Sequence, residues 1–306
     1  MAKLTQFTAP RYWPTWLGIM LLRLIALLPF KAGLFFGSLL GKALYHLIPK
    51  RRHIADINTQ LCFPELDHAQ REQFVRDVFK HNGIGVVETA WAFWSNKKNL
   101  LNRTTYIGLG LLEEALKKEK GLILLGGHYS TLDLGGALFA LKGYSMVSMY
   151  RKHNNPLMEE IILRGRSDWS TPIERKKLRD IVRALRKNHI IWYGPDQDFG
   201  RNNAVFVPFF NQTTATITAT SKMVKLNDSP ILCLQQRRNE DDSGYTIEIA
   251  PIDGFPSGDE TKDAQLMNLA IETAVRKAPS QYMWVHQRFK TQPDSNDNPY
   301  KKPSRN

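Results

Sequence analysis

Short apolar runs alternate with segments of helical periodicity through most of the chain. The runs of strand length lie at residues 104–107, 122–125, 144–150, 190–193, 205–209, 231–236 and 245–250. The helical patterns lie at residues 111–118, 131–141, 156–164, 175–187, 214–226 and 262–277. Alternation of this kind predicts an α/β fold in which a mostly parallel sheet is flanked by helices.

The segments on either side of this region have different patterns. Residues 64–94 are helical in pattern, with Asp67 as the N-cap and a second helix expected after Gly83. Residues 293–306 are polar and rich in Asn and Pro, which predicts a disordered tail.

The first fifty residues contain a long apolar stretch. Residues 17–37 have the length of a membrane-spanning helix, which needs about 20 apolar residues, but they include Arg23, Pro29 and Lys31. A central arginine costs about 2.5–3.5 kcal/mol on insertion scales, and Leu and Ile at about 0.3–0.6 kcal/mol each can offset this cost. We therefore expect residues 1–53 to be an N-terminal hydrophobic membrane-anchoring helical segment.

A single transmembrane helix at about 17–37 is one form of that anchor. The basic cluster at residues 50–52 would then lie on the cytoplasmic side and place the rest of the chain in the cytoplasm. An amphipathic segment on the bilayer surface and a buried helix pair are the alternatives.

A histidine follows the apolar run at 122–125, at the predicted turn from strand to helix. Ligands bind at such carboxyl-end crevices in open α/β sheets. On one continuous helix, His128 and Asp133 would diverge by about 140°, so they meet only if His128 lies in the loop and Asp133 in the first helical turn. The pair is either a general base with its orienting carboxylate or a structural histidine beside a helix-capping aspartate.

Charged residues also follow two other predicted strands. Arg151 comes directly after strand 144–150, and Arg164 and Arg166 lie in the next segment. Guanidinium groups there would hold phosphate or stabilise an oxyanion, or they are solvated surface residues. Asp196 and Asp198 follow strand 190–193; without a third ligand they indicate metal only weakly, and they favour a loop-shaping role over a plain turn.

Residues 281–293 alternate polar and apolar positions, which predicts a strand with one polar and aromatic face. Trp284, His286, Arg288 and Lys290 would lie on that face. Such a face would stack nucleobases or fit beneath a lipid headgroup.

Composition narrows the classes of partner. The net charge of +13 at pH 7 suits nucleic acid, an anionic membrane surface or an acidic protein. The two cysteines, Cys62 and Cys233, form no CxxC pair. This argues against a disulfide scaffold or structural zinc and is compatible with a reducing cytosol.

These patterns together resemble a known family. His128 and Asp133, spaced as His-x-x-x-x-Asp after a strand, resemble the glycerolipid and lysophospholipid acyltransferase superfamily. Further segments, spread to about residue 292, are similar to those of the late acyltransferases of lipid A biosynthesis: TAPRYWPTWLGI, CFPEL, YRKHNNPL, WYGPDQDFG, VFVPFF and QYMWVHQRFKT.

The resemblance implies an acyltransferase domain at residues 54–292 in an inner-membrane enzyme of Gram-negative bacteria, with its active site on the cytoplasmic face. Such an enzyme transfers a fatty acyl chain from acyl carrier protein to a 3-hydroxyacyl hydroxyl of a Kdo-bearing lipid A precursor, an anionic glycolipid. It implies no metal, no organic cofactor and no nucleic-acid partner.

The resemblance also assigns roles to residues of the predicted site. His128 would be the general base and Asp133 its orienting carboxylate. Arg151 and Arg166 would contact phosphate or the oxyanion, and Arg164 and Asp196 are further candidates for substrate contact.

The absence of a GxSxG elbow and of a plausible nucleophilic cysteine fits direct transfer without a covalent enzyme intermediate. An acyltransferase of the same superfamily acting on a lysophospholipid or glycerol phosphate is the main alternative. A basic, membrane-associated nucleic-acid-binding protein is the alternative from another class.

Overall fold

The computed structural model describes residues 3–175, 177–294 and 298–301, and Leu178 by its backbone alone. Its α-helices are α1 (Trp13–Ile25), α2 (Phe30–Leu47), α3 (Pro49–Cys62), α4 (His68–Trp94), α5 (Lys98–Leu101), α6 (Leu109–Leu116), α7 (Leu132–Leu141), α8 (Pro156–Ser167), α9 (Leu178–Arg186), α10 (Ala219–Asn227) and α11 (Glu260–Arg276). Its strands are β1 (Thr104–Ile107), β2 (Leu122–Gly126), β3 (Met146–Tyr150), β4 (Ser170–Glu174), β5 (Ile190–Tyr193), β6 (Ala204–Phe209), β7 (Gln212–Ile217), β8 (Ile231–Arg238) and β9 (Tyr245–Ala250).

Within these described residues, seven strands form one sheet in the order β1-β9-β8-β2-β5-β3-β4, and β6 and β7 form a separate antiparallel pair. Strands β8, β2, β5, β3 and β4 run parallel to one another. Strand β9 is antiparallel to β8, and β1 follows the direction of β9. The predicted α/β class, with a mostly parallel sheet flanked by helices, is confirmed.

The centre of the sheet is buried on both faces, as is usual for parallel strands. Ile123 and Leu125 of β2 belong to a core that includes residues of α9, α10 and α11. Leu122 and Leu124 belong to a second core, with residues of α2, α4, α6 and α7. The helices on the two faces leave the carboxyl edge of the parallel strands to the loops, where the candidate site lies.

Helix α4 is one continuous helix, so the second helix expected after Gly83 does not exist. The predicted N-cap is confirmed, because Asp67 and Gln70 form a reciprocal capping box. Gly83 serves close packing rather than helix termination: a Cβ atom there would lie 2.5 Å from the Cα atom of Gly41 in α2. The backbones of α2 and α4 therefore touch, which the absence of a glycine side chain permits.

The single transmembrane helix expected at about 17–37 is wrong, because the segment forms two helices. Helix α1 ends at Ile25 and α2 begins at Phe30, with Pro29 as its N-cap. Proline is tolerated at a helix start but removes a hydrogen bond from a helix interior. Among the described residues, none of the helices combines the length and apolar character needed to cross a membrane.

The first two helices and the turn between them expose large apolar side chains. The largest exposed fractions, each above half, belong to Trp13, Leu17, Met20, Leu24, Leu27, Phe35, Leu39 and Leu47. Those of α1 recur every three or four residues and so lie along one side of the helix. This exposed apolar stripe distinguishes α1 from a helix buried in the core.

Two other expectations fail where strands replace predicted helix or irregular chain. The helix expected at 214–226 is instead strand β7 followed by α10, because the threonines of β7 are β-branched and favour a pleated surface. The pattern also missed β4, a short strand at the edge of the sheet that contains Pro172. Proline is compatible with an edge strand, where one side needs no ladder hydrogen bond.

The strand expected at 281–293 is not formed. Tyr282 makes one isolated bridge to Tyr129, and the remainder is turns and irregular chain. Of the tail expected to be disordered, residues 295–297 and 302–306 lie outside the described residues. Within the described part, the Tyr300 hydroxyl accepts a hydrogen bond from the Phe289 amide at 3.1 Å and also bonds Asn58.

Candidate active site

The loops that follow β2 and β5 lie side by side at the carboxyl edge of the sheet. The two strands are parallel neighbours, with Leu125 opposite Tyr193. His128 comes shortly after β2 ends, and Asp196 comes shortly after β5 ends. The shared edge therefore brings together two side chains that are far apart in sequence.

His128 makes two hydrogen bonds to the carboxylate of Asp196. Its Nδ1 lies 2.6 Å from Oδ1, and its backbone amide donates to Oδ2 at 2.8 Å. Because a carboxylate only accepts hydrogen bonds, Nδ1 carries the hydrogen, and in the neutral imidazole Nε2 is then the nitrogen with the lone pair. In the described part of the chain Nε2 has no hydrogen-bond partner, and the side chain is 19% exposed. This is the arrangement of a general base open to a substrate hydroxyl.

Asp196 is buried, and it is held as a carboxylate. Its side chain is 1% exposed and accepts a further hydrogen bond from the Tyr282 hydroxyl at 2.8 Å. Burial raises the pKa of Asp196, but the charge and hydrogen bonds of His128, together with the Tyr282 hydroxyl, outweigh burial and lower it to about 2. The group is therefore negative at neutral pH and stabilises an imidazolium.

The ring of His128 is also fixed by packing. It meets the Trp192 ring edge-on, with centroids 5.6 Å apart. A Cβ atom at Gly194 would lie 2.7 Å from Cε1 of the imidazole, so only glycine admits the ring at this distance. Trp192 and Gly194 thus restrict the imidazole to the orientation that Asp196 requires.

Asp133 lies in the first turn of α7, as predicted, but its partners are different from those expected. Its Oδ1 accepts a hydrogen bond from Arg166 Nε at 2.8 Å, and its Oδ2 lies 3.5 Å from the Thr89 hydroxyl. Among the described residues, no hydrogen bond or ion pair joins Asp133 to His128. The structure gives the orienting position to Asp196, and a catalytic role for Asp133 stays a prediction.

The predicted arginines occupy three different environments. Arg166 is mostly buried and paired with Asp133. Arg164 forms an ion pair with Glu160 on the same helix, at 2.8 Å. Arg151 is exposed at the end of β3. Arg166 is therefore bound to another residue of the predicted site.

Hydrogen bonds of Asp198 connect its loop to the C-terminal segment. It accepts hydrogen bonds from the backbone amide and the hydroxyl of Thr291, at 2.7 and 2.9 Å, and from the Gly200 amide at 2.8 Å. These contacts agree with the predicted loop-shaping role. In the part of the chain that the structure describes, no group of three or more His, Cys, Asp or Glu side chains is arranged to hold a metal ion.

The C-terminal segment supports the His128 loop on both sides. Met283 donates its amide hydrogen to the His128 carbonyl at 2.9 Å, and Ser130 donates to the Gln281 carbonyl at 2.8 Å. Tyr282, between them, donates to Asp196. Sequence reasoning missed Tyr282, and its only signal was its position in the aromatic-rich segment QYMWVHQRFKT.

The aromatic and basic residues of this segment are not a surface for stacking nucleobases. Trp284 is 1% exposed and donates to the Pro279 carbonyl, and Arg288 is 2% exposed and donates to the Ala215 carbonyl. Base stacking needs an accessible aromatic face. These two residues therefore give the nucleic-acid alternative no support.

A narrow cleft lies close to the base. Trp192, which contacts His128, forms one wall, and the ion pair of Asp133 and Arg166 forms another. The remaining lining is mostly apolar and consists of Leu132, Gly136, Met146, Ser148, Met149, Trp169, Leu234 and Gln236. The cleft is suited to a hydrocarbon chain with a polar group at the His128 end.

Neither cysteine is prepared to act as a nucleophile. Both are buried. Burial raises the pKa of the Cys62 thiol, and it raises that of Cys233 to about 12. A thiol with a raised pKa is not ionised near neutral pH and is a poor nucleophile.

The chain is similar to known proteins along nearly its whole length. Residues 1–291 match the family described as bacterial lipid A biosynthesis acyltransferase. The chain is 37% identical over 291 residues to the lipid A biosynthesis palmitoleoyltransferase of Escherichia coli (strain K12), which covers 94% of each chain. It is 33% identical over 293 residues to the lauroyltransferase of the same strain, covering 95% of each. With the myristoyltransferase of that strain, identity is 28% over 299 residues, covering 97% of this chain and 93% of the relative.

Proposed function

The chain belongs to the bacterial lipid A biosynthesis acyltransferase family, and on this premise we propose that its acyl donor is a fatty acyl thioester of acyl carrier protein. The acceptor we propose is the hydroxyl of a 3-hydroxyacyl chain on a Kdo-bearing lipid A precursor. The observation that carries the proposal is His128, whose Nδ1 is held by a buried carboxylate and whose Nε2 is open.

The reaction we propose is a direct acyl transfer. As the acceptor oxygen attacks the thioester carbonyl carbon, Nε2 of His128 takes the hydroxyl proton, and a C–O bond forms. Asp196 stabilises the imidazolium through Nδ1–H without accepting the proton. The tetrahedral intermediate then breaks its C–S bond, and the imidazolium returns the proton to the leaving sulfur. Cys62 and Cys233 take no part, because both thiols are buried and protonated.

Arg166 is the candidate that we propose for stabilising the oxyanion or a substrate phosphate. Its Nε is bound to Asp133, which fixes the plane of the guanidinium at the wall of the cleft. Its two Nη groups have no hydrogen-bond partner among the residues described, so they remain free as donors. Arg151, exposed at the same edge of the sheet, is our candidate for a phosphate of the anionic acceptor.

The acyl chain we place in the cleft beside His128. The apolar lining supports this placement, as does Trp192, which contacts both the cleft and the base. A chain in the cleft would carry its thioester carbonyl at the open end, within reach of Nε2. Burying the chain also supplies the hydrophobic part of donor binding, roughly 0.8 kcal/mol for each methylene removed from water.

We further propose that α1 and α2 dock the protein on the cytoplasmic face of the inner membrane. The exposed apolar stripe of α1 supports this, since interfacial helices bury such a stripe at the boundary of headgroups and acyl chains. Arg11, Arg23 and Lys31 lie in or beside the same helices and suit anionic headgroups. Docking would bring the lipid acceptor to the enzyme without extracting it from the bilayer.

The transfer reaction tests the proposed base. Vesicles carrying the Kdo-bearing precursor are incubated with labelled acyl-acyl carrier protein and either wild type or His128→Ala. Loss of a general base costs about 10²–10⁴-fold in rate. The matched control is His189→Ala, an exposed histidine at the opposite edge of the sheet, which keeps its activity. Wild-type product formation by His128→Ala would exclude the proposed mechanism.

Flotation with vesicles tests the docking surface separately. Met20→Gln with Leu24→Gln removes two exposed apolar side chains from α1 and is expected to weaken vesicle binding. The control, Leu226→Gln with Leu269→Gln, removes two equally exposed leucines from α10 and α11. Equal flotation of both double variants would show that α1 is not the docking surface.

A further inference from the structure

Helix α9 carries a row of basic side chains on its outer side, which we call the basic face of α9: Arg179, Arg183, Arg186 and Lys187. These positions are separated by three, four, seven or eight residues, except for the adjacent pair at the end, so they share one side of the helix. All four are exposed, whereas Ile181 and Leu185 are fully buried against the sheet.

The fold does not account for this concentration of charge. Arg183 pairs with Asp180 at 3.1 Å, and both side chains are largely exposed, so the pair contributes little stability. Arg179, Arg186 and Lys187 form no ion pair with any described residue. Three exposed cations without ion-pair partners on one helix side repel one another, and they favour an acidic partner.

The basic face lies on the side of the sheet opposite the membrane-docking helices. Ile181 and Leu185 belong to the core on the face of α10 and α11. Leu34 of α2 and Ala26, in the turn after α1, belong to the core on the other face. The end of α2 reaches the first core through Tyr45, so a partner on α9 approaches from the side away from α1 and the start of α2.

The start of α9 is close to the loop that carries Asp196. Arg175, just before the helix, places its guanidinium 5.3 Å from the centre of the Phe199 ring, in the loop that follows β5. Helix α9 also packs against β5 itself, because Leu185 and Ile191 share one core. The basic face thus runs from the active-site edge at Arg179 to the opposite edge at Arg186 and Lys187, and a partner that covers it reaches the active-site edge at the start of the helix.

We propose that the basic face of α9 is the docking surface for the acyl carrier protein, an acidic protein that delivers the thioester to His128. This inference rests on the proposed donor. Charge complementarity favours a protein over a bilayer, because no large apolar side chain is exposed among the described side chains of α9. Interfacial helices pair their basic residues with an apolar face that inserts.

The kinetics of a charge-reversal variant test this surface. Arg179→Glu with Arg186→Glu is compared with Lys98→Glu with Lys142→Glu, which makes the same charge change at two exposed lysines on the other face of the sheet. Each variant is assayed with two acyl donors, which are thioesters of the same acyl chain with acyl carrier protein and with pantetheine. The α9 variant is expected to show a KM for acyl-acyl carrier protein raised about tenfold, equivalent to about 1.4 kcal/mol. Its kcat, and its transfer from acyl-pantetheine, stay at the wild-type values.

Three outcomes would overturn the inference: an unchanged KM for the carrier in the α9 variant, an equal loss in the lysine control, or an equal loss with acyl-pantetheine. Loss of vesicle flotation in the α9 variant would assign the face to the bilayer and would also overturn it. A wrong donor assignment would give a different result. Wild type itself would then transfer the acyl chain from acyl-pantetheine but not from acyl carrier protein. Added salt should raise the wild-type KM for the carrier and leave that of the α9 variant nearly constant.

Discussion

Tyr282 donates its hydroxyl hydrogen to Oδ2 of Asp196 at 2.8 Å. The same oxygen accepts the backbone amide of His128, while Oδ1 accepts Nδ1 of the ring. The carboxylate is therefore oriented by one group from the C-terminal segment and by two from the catalytic loop. The His128 loop and the C-terminal segment, which are distant in sequence, therefore both bond the buried carboxylate of Asp196.

Replacing Tyr282 by Phe should lower kcat about tenfold and leave KM nearly unchanged. The Tyr282 side chain is buried and its hydroxyl bonds Asp196. Loss of the hydroxyl removes one hydrogen bond to a charged group, worth about 1.5–3 kcal/mol, and only part of this energy reaches the transition state. Steady-state kinetics measure the effects on kcat and KM separately. Tyr106→Phe is the control, since its hydroxyl binds the Leu138 carbonyl far from His128. A wild-type kcat in Tyr282→Phe would show that this hydroxyl does not position Asp196.

Asp196→Asn should lose much more activity than Asp133→Asn. An amide at position 196 no longer fixes the Nδ1–H tautomer or stabilises the imidazolium, which costs about 10³–10⁴-fold in kcat where a histidine base depends on a carboxylate. Asp133→Asn weakens the hydrogen bond and ion pair with Arg166 and should therefore change mainly KM. The reverse order of losses would return the orienting role to Asp133.

The stability of the protein in acid should depend on Asp196. Its pKa in the folded state is about 2, below the value of about 3.9 in an unfolded chain. A lowered pKa stabilises the folded state above pH 4, and the contribution, about 2 kcal/mol, is lost as the pH falls from about 4 to 2. Urea unfolding across this range should show a shallower fall in the free energy of unfolding for Asp196→Asn. Asp253→Asn, an exposed substitution, should retain the wild-type slope, and parallel curves for Asp196→Asn would contradict the assignment.

The width of the cleft should control acyl chain length. A Cβ atom at Gly136 would lie 2.6 Å from the Trp169 ring, so Gly136→Ala must displace that ring within the lining. We expect a preference for shorter chains, measured by mass spectrometry of products from an equimolar mixture of acyl donors. Gly110→Ala, where an added Cβ meets nothing within 4 Å, is the control. An unchanged product distribution would place the acyl chain elsewhere.

Local patterns were sufficient for much of the sheet and for the loop that carries the base. The strands Thr104–Ile107, Ile190–Tyr193 and Tyr245–Ala250 form with the predicted bounds, because apolar runs between turn signals encode buried strands directly. The N-cap at Asp67 could also be predicted from the sequence, because the two partners of its capping box are three residues apart.

The orienting position of Asp196 could not be predicted from local sequence patterns. His128 and Asp196 meet because β2 and β5 are parallel neighbours in a particular register, and no spacing in the sequence encodes that register. The expected partner, Asp133, rests on the His-x-x-x-x-Asp spacing, which is a local pattern. Gly83 is misleading as a local signal for a helix boundary, because it contacts Gly41 of another helix.

The backbone contact between α2 and α4 also limits how the enzyme can move. Helix α4 touches Gly41 of α2 through Gly83, and two residues later a Cβ atom at Gly85 would lie 2.6 Å from the Ser130 carbonyl oxygen, beside the His128 loop. Close-packed interiors have few voids and transmit displacement. Helix α4 therefore fixes the distance between α2 and the His128 loop. If α1 and α2 dock on the membrane as proposed, this distance determines how far an acceptor hydroxyl must rise from the lipid surface to reach His128.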